Sequence, residues 1–355
     1  MSDPALDALF LPFTSGQLPW PPAPVLFLRA RDGAALRPFA SRGVVCEQSF
    51  KPFAQALEQA RLEVVTDAAE DGRRYPLILL LPPRQREEAR ALFARALSLL
   101  APGGRIVASM ANNEGAKSGE SDLRQLAGLA GVLSKYHCRV FWTAPLDGPA
   151  DAGLQRQWQA LDAPRPILGG SFVSRPGVFA WNRIDPASQL LAGHLPPVLA
   201  GVGADLGAGY GYLSAQLLQR YAGRISALDV YEAEARALQL AQANLQPLAA
   251  GTTLEFLWHD VTAGLSRRYD FIVSNPPFHT PAREDRPDIG RRFIAVAAEA
   301  LKPGGHLWLV ANRHLPYEQT LNEGFGQVRV VGERDGFKVI EAIKAAPSRG
   351  RAARA

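Results

Sequence analysis

Cysteine and methionine are scarce in this sequence, at two residues each in a chain of 355. Cys46 and Cys138 are too few and too far apart for a disulfide framework or a metal-binding cluster, and they read as buried, unreactive thiols in a reducing compartment. An uninterrupted apolar run of about 18 residues is also missing, which argues against a transmembrane helix. The opening segment, MSDPALDALF, carries acids and no basic stretch ahead of its apolar residues, so it does not read as a secretory leader. These absences predict a cytoplasmic protein with no metal and no membrane partner.

Excess charge is nearly missing from the body of the chain. The formal net charge is +5, which invites a nucleic-acid reading. Arg349, Arg351 and Arg354 supply three of those charges from the tail at residues 346–355, APSRGRAARA, which holds no acid. Such a tail either adds phosphate contacts or only solubilises the end of the chain. Apolar material, by contrast, is plentiful. With 47% hydrophobic and 21% charged residues, the chain can bury two cores of ordinary size.

The second half alternates strand and helix. Residues 202–206 (VGADL) read as a short strand running into GAGYG, and a helical stretch follows through Leu213, Leu217 and Leu218. Ile225 to Tyr231, Leu254 to Trp258, Phe271 to Val273 and Leu307 to Val310 read as strands, while Glu234 to Asn244 and Arg291 to Leu301 read as helices. This rhythm implies a parallel sheet covered on both faces.

The first half carries a faint copy. Tyr75-Pro-Leu-Ile-Leu-Leu-Leu-Pro-Pro83 lines up with Tyr269-Asp-Phe-Ile-Val-Ser-Asn-Pro-Pro277, and each is followed by a helix. Ala101-Pro-Gly-Gly and Lys302-Pro-Gly-Gly come next, then Ala111-Asn112 and Ala311-Asn312. The coincidence predicts a duplicated α/β domain. The copies differ where chemistry would sit: Asn275 is matched by Leu81, and no glycine-rich loop precedes Tyr75. Two tandem Rossmann-like domains are therefore expected, a degenerate one at 1–165 and a catalytic one at 166–345, with the linker near DAPRP and LGG at residues 160–175.

Asp205-Leu-Gly-Ala-Gly-Tyr-Gly211 follows a strand and opens a helix. Glycines permit a tight turn and close approach of a ligand to the backbone. Nucleotide sites of several kinds share such loops, but an acid just before the glycines suits an amine-bearing ligand, such as the methionyl part of S-adenosylmethionine, better than a pyrophosphate. A second acid, at the end of the next strand, should accept the ribose hydroxyls. Asp229 and Glu232 are the candidates, and the register of the following helix favours Glu232. Asp260 ends the third strand and either reads an adenine edge or caps a helix.

Ser274-Asn-Pro-Pro-Phe278 is the most specific signal in the chain. The exocyclic amine of guanine is a weak nucleophile because its lone pair is delocalised into the ring. An enzyme must hold that nitrogen in line with the methyl donor and accept its N–H bonds. The Asn275 oxygen can accept one and the Pro276 carbonyl the other. Pro276 and Pro277 fix the direction of these acceptors, having set φ angles and no N–H. Phe278 offers a face for base stacking. Positioning and preorganised polar groups then do most of the catalytic work.

With these motifs in order, the chain resembles the bacterial ribosomal RNA guanine-N2 methyltransferases of the RsmC and RlmG kind, along nearly its whole length. Arg175-Pro-Gly-Val-Phe179, Asp185-Pro-Ala-Ser-Gln-Leu-Leu191, SNPPFH through His279, Val310-Ala-Asn-Arg-His-Leu-Pro-Tyr317 and Gly336-Phe-Lys-Val339 carry the likeness too. The resemblance implies two tandem methyltransferase-like domains, the first aiding folding and RNA engagement, the second using S-adenosylmethionine. It assigns Asp205, Gly207 and Gly209 to the methionine pocket, Glu232 to the ribose, Asp260 to the adenine, and Asn275 to Phe278 to the target base, with Asn275 also near the cofactor. Phe179 and Gln189 would border the site. The implied partner is ribosomal RNA or a ribosomal subunit, 16S in preference to 23S, engaged by a monomer.

Other residues carry less. His279 either touches RNA or caps the loop. Trp142, Trp158 and Trp181 read as core. Arg283, Arg286, Arg291 and Arg292, mixed with Glu284, Asp285 and Asp288, form either a closing segment or a solvated loop face. Two rival functions share these motifs: methylation of a release-factor glutamine, which favours Tyr where Phe278 stands, and a non-catalytic RNA-binding role.

Overall fold

The computed structural model describes residues 3–22, 24–69, 72–277 and 287–346. Phe278, His279, Arg283, Glu284, Asp285, Arg286 and the arginines of the tail lie outside the described residues. In the first half, β1 (Val25–Leu28), β2 (Val44–Glu47), β3 (Glu63–Val65), β4 (Tyr75–Leu80), β5 (Leu100–Ala111), β6 (Gly131–Lys135) and β7 (Cys138–Trp142) form one sheet in the order β3-β2-β1-β4-β5-β7-β6. A short ribbon of β8 (Arg165–Ile167) and β9 (Phe172–Ser174) follows. The second sheet contains β10 (Gly201–Leu206), β11 (Ile225–Glu232), β12 (Thr253–Trp258), β13 (Tyr269–Ser274), β14 (Leu301–Asn312), β15 (Gln327–Arg334) and β16 (Phe337–Ile343). Its order, β12-β11-β10-β13-β14-β16-β15, repeats the first, and in both sheets five parallel strands are closed by an antiparallel hairpin. The chain divides into two compact units, Met1–Arg165 with Arg175–Gly177, and Pro166–Ser174 with Val178–Ala355.

The strands at the centre of each sheet read as near-continuous apolar runs because helices cover both faces. In the second unit, helices Pro186–His194, Tyr212–Arg220 and Ala235–Leu245 bury Leu191, Leu217 and Leu240 against one face, around Val230, Phe271 and Val273. Pro287–Ala300 and Glu318–Gly324 bury Ile294, Val296 and Leu321 against the other, around Leu206, Ile272 and Leu309. The helix expected from Arg291 to Leu301 thus starts earlier, and Leu301 already belongs to β14, paired with Tyr269. Trp142 and Trp158 are buried, and Trp181 is half-buried against the core. Both thiols are free and buried, which pushes Cys46 up to about 12 and Cys138 up to about 11.

Strand register makes the internal copy exact enough to test residue by residue. Ile78 pairs with Leu26 as Ile272 pairs with Ala204, and Arg105 pairs with Leu77 as His306 pairs with Phe271. On that register Phe27 matches Asp205, Arg29 matches Gly207, Gln48 matches Glu232 and Leu81 matches Asn275. One feature of the repeat is corrected. The Pro-Gly-Gly segments align, but Ala111 falls opposite Asn312 and not Ala311, so the two Ala-Asn pairs are one residue out of step. Their likeness is coincidental.

Gly203 illustrates how packing fixes sequence. A Cβ there would enter the ring of Phe271 on the neighbouring strand. The matching pair in the first sheet, Val25 and Leu77, moves the bulk to the other partner. Gly203→Ala is expected to destabilise the second unit by about 1–3 kcal/mol, the usual cost of overpacking. A urea midpoint equal to that of the parent protein would contradict this packing argument.

Candidate active site

The carboxyl ends of β10, β11, β12 and β13 carry the candidate residues, as ligand sites in open parallel sheets do. β10 runs into Gly207-Ala-Gly-Tyr-Gly211. Gly207, Gly209 and Gly211 all take left-handed φ, at 79°, 58° and 95°, a conformation that costs glycine little. The Gly207 and Ala208 N–H groups both donate to the Tyr231 carbonyl, at 2.9 and 3.0 Å. Asn244 steadies the far side of the turn, donating to the Tyr210 carbonyl at 2.8 Å.

Asp205 lies directly beneath this loop and is fully buried. Its Oδ2 accepts from the Ser214 hydroxyl at 2.7 Å, while its Oδ1 has no partner among the described residues. Burial pushes this carboxyl up to about 7. An orphaned buried acceptor is costly, and the arrangement suits a ligand that brings a cation or N–H donors. Glu232, at the end of β11, accepts from the Gly209 N–H at 2.7 Å and from the Glu234 N–H at 2.8 Å. Burial raises its pKa against the pull of those two donors. Asp229 faces a different environment. It accepts from Arg267 at 3.0 Å and from the Tyr269 hydroxyl at 2.7 Å, and among the described residues no hydrogen bond joins its side chain to the glycine loop. Asp260 caps the turn Val261–Ala263, its Oδ1 taking both the N–H and the hydroxyl of Thr262.

Asn275 follows β13. Its Nδ2 donates to Asp185 Oδ2 at 2.9 Å and to Ser188 Oγ at 2.8 Å. Among the described residues nothing donates to its Oδ1. Pro276 is buried and Pro277 exposed. A small cleft of about 40 Å³ joins Asn275 to the glycine loop, with Gly207 to Tyr210, Tyr212, Leu213, Asp185, Ser188, Phe179 and Ala180 in its wall. Phe179 is 61% exposed at its rim. Gln189 is outside this wall and lines neighbouring clefts. Asp205, Glu232, Asp260, Pro276 and Pro277 do not line the cleft either; Asp205 lies buried behind Gly207, and Glu232 reaches the cleft through Gly209. Arg291 and Arg292 bond to the carbonyls of Pro316 and Thr262.

Asp185, Ser188, Ser214 and Asn244 were not singled out from the sequence. The Asp-Pro-x-Ser spelling of residues 185–188 is a readable helix start, with Asp as N-cap and Pro in the first turn. Nothing local says that this cap faces a residue ninety positions on.

Known proteins resemble this chain over most of its length. The ribosomal RNA small subunit methyltransferase C of Shewanella pealeana is 32% identical over 76% of this chain and 78% of its own. That of Pseudomonas aeruginosa LESB58 is 33% identical over 74% of this chain and 78% of its own. The chain belongs to the ribosomal RNA small subunit methyltransferase C family. The methyltransferase small domain family also matches residues 169–341, all but three of which belong to the second unit. Among solved structures, the T. thermophilus 16S rRNA N2 G1207 methyltransferase (RsmC), determined in complex with AdoMet and guanosine, aligns with a TM-score of 0.78. It is 26% identical and the alignment covers 96% of this chain and 92% of that one, so both sheets of this RsmC-family protein have counterparts.

Proposed function

We propose that this protein transfers a methyl group from S-adenosylmethionine to the exocyclic N2 of a guanine in 16S ribosomal RNA. One observation carries the reading: the Asn275 amide is held by its nitrogen, with its oxygen left as an acceptor, in a cleft shared with the glycine loop. The residues fit the cofactor. Asp205 offers an unpartnered buried oxygen for an α-ammonium, Gly207 and Gly209 leave room for close approach, Glu232 serves the ribose and Asp260 the adenine. When bound, S-adenosylmethionine supplies a methyl on a positively charged sulfur.

The Asn275 oxygen and the Pro276 carbonyl accept the two N2–H bonds and direct the nitrogen lone pair at that methyl. As the N–C bond forms, positive charge grows on N2, and the same two oxygens stabilise it. With the cofactor bound, its methyl–sulfur bond would give way as that bond forms, and one N2 proton would leave to water. Phe278, outside the described residues, is assigned to stacking, and Phe179 stands at the rim where a second face could be covered. The rival substrate, a release-factor glutamine, has no support in the family's names. The first unit, with Phe27, Arg29, Gln48 and Leu81 in the key positions, does not bind cofactor and serves folding and RNA engagement. No described helix is long and apolar enough to cross a membrane, and among the described residues no three His, Cys, Asp or Glu side chains are placed to hold a metal. A cytoplasmic monomer acting on ribosomal RNA or the small subunit is the form proposed.

Mass-spectrometric mapping of 16S RNA from a strain lacking this gene tests the reading. The expected result is one missing N2-methylguanine, restored by the intact gene. A complete set of methylguanines in the deletion strain would rule the assignment out.

A further inference from the structure

We infer that Asp185 and Ser188 are positioning residues for the reaction, a clamp that decides which end of the Asn275 amide faces the substrate. The inference rests on the proposed role of Asn275. An asparagine side chain has a donor end and an acceptor end of nearly equal shape, and only the acceptor end can take an N–H from a base amine. Turned over, Asn275 would present hydrogens to hydrogens. Something must set its orientation, and the proline neighbours fix only the backbone.

The clamp does so by chemistry. A carboxylate can only accept, so the group facing Asp185 Oδ2 at 2.9 Å has to be the NH₂. Ser188 Oγ takes the second hydrogen at 2.8 Å. With both N–H bonds occupied, the amide oxygen is the group left for the substrate. Hydrogen bonds at the nitrogen also draw its lone pair into the amide and enrich the oxygen, making it a stronger acceptor.

Both clamp residues sit on the first turn of helix Pro186–His194. Asp185 is its N-cap, and the same Oδ2 accepts the Ser188 N–H at 2.9 Å. One carboxylate oxygen therefore starts the helix and holds the amide. Ser188 is buried, and both residues line the cleft with Asn275. The helix end is the rigid mount, and Asn275 is the part it aims.

A shortened cap tests this. Asp185→Ser keeps a helix cap of comparable worth on a side chain too short to hold Asn275, which is left with the Ser188 hydroxyl, a group that donates as readily as it accepts. The amide can then turn over. Turnover with small-subunit RNA should fall about 100-fold, the scale of a misplaced reacting group, with KM, S-adenosylmethionine affinity and thermal midpoint near the parent values. Asp185→Asn, whose amide oxygen is kept in the shared place by the Ser188 N–H, still accepts from Asn275 and should stay well above Asp185→Ser in turnover. Ser188→Ala, which leaves the cap and the Asp185 contact intact, should lower turnover less than Asp185→Ser does. Parent-like turnover in Asp185→Ser, or Asp185→Asn no more active than Asp185→Ser, would overturn the clamp. If Asn275→Ala is inactive while Asp185→Ser is fully active, the clamp fails and the proposed function stands. If Asn275→Ala is active, the proposed function itself fails.

Discussion

Asn275→Ala should nearly abolish methyl transfer while leaving S-adenosylmethionine binding close to that of the parent protein. The side chain is attached at the end of β13, a strand buried on both faces, so the truncation leaves the scaffold intact. It removes one of two acceptors for the base amine. A single preorganised group aimed at developing charge is worth about 100- to 1000-fold in turnover, and truncation also lets water into the space where the nitrogen must be held. The cofactor's own contacts are assigned to Asp205, the glycine loop and Glu232, none of which hydrogen-bonds Asn275. Single-turnover transfer of labelled methyl to small-subunit RNA, paired with calorimetric cofactor titration, separates the two effects. Unchanged turnover would remove the mechanism, and lost cofactor binding would move Asn275 from the base site to the cofactor site.

What could be read from the sequence follows from what is local. The glycine loop, the Pro-Pro strand ends and the strand–helix alternation are encoded in adjacent residues, and the fold was legible from them. The choice between Asp229 and Glu232 was half legible. Helix register favoured Glu232, and the observation that supports this proposal, that Asp229 is engaged by Arg267 and Tyr269, depends on a strand two places away in the sheet. Asp185 and Ser188 spelled a helix cap and nothing more, because hydrogen bonds between distant segments leave no mark in local pattern. The Ala-Asn likeness misled for the same reason. A short motif has no register until its strand is paired, and pairing sets these two apart by one residue.

The decay of the first unit's site can be followed atom by atom. Phe27, in the position of Asp205, fills the space under the turn with a buried ring. Arg29, in the position of Gly207, keeps the left-handed φ of 55° but brings a side chain that pairs with Glu88 at 2.9 Å. Gln48, in the position of Glu232, still accepts the N–H two residues on, from Phe50 at 2.8 Å, as Glu232 does from Glu234. Its amide nitrogen now donates to the Ala30 carbonyl at 2.6 Å, closing the turn on itself. The backbone bonds that shape the strand end persisted, while the charge and open space that a ligand would need are gone.

Asp205 supplies the second large effect, and it depends on pH. Burial raises its carboxyl from the ordinary 3.8 to about 7. In the free protein the protonated form is the comfortable one, so the stability it contributes is full below about 4 and is lost as pH rises toward 7. A bound α-ammonium reverses this preference and pulls the proton off. Cofactor affinity should therefore rise with pH up to about 7, with a proton released on binding at pH 6. It should turn down above about 8, where an α-amino group loses its own proton. Asp205→Asn keeps the volume and can still meet Ser214, but it cannot ionise. Affinity at pH 7.5 should drop about 10- to 100-fold, the value of one charge-assisted hydrogen bond, and the rising limb should vanish. Calorimetry in buffers of different ionisation enthalpy reads the proton count directly, and the same titration should saturate at one cofactor per chain. A variant that kept the pH slope would place the titrating group elsewhere, and a stoichiometry of two would restore a site to the first unit.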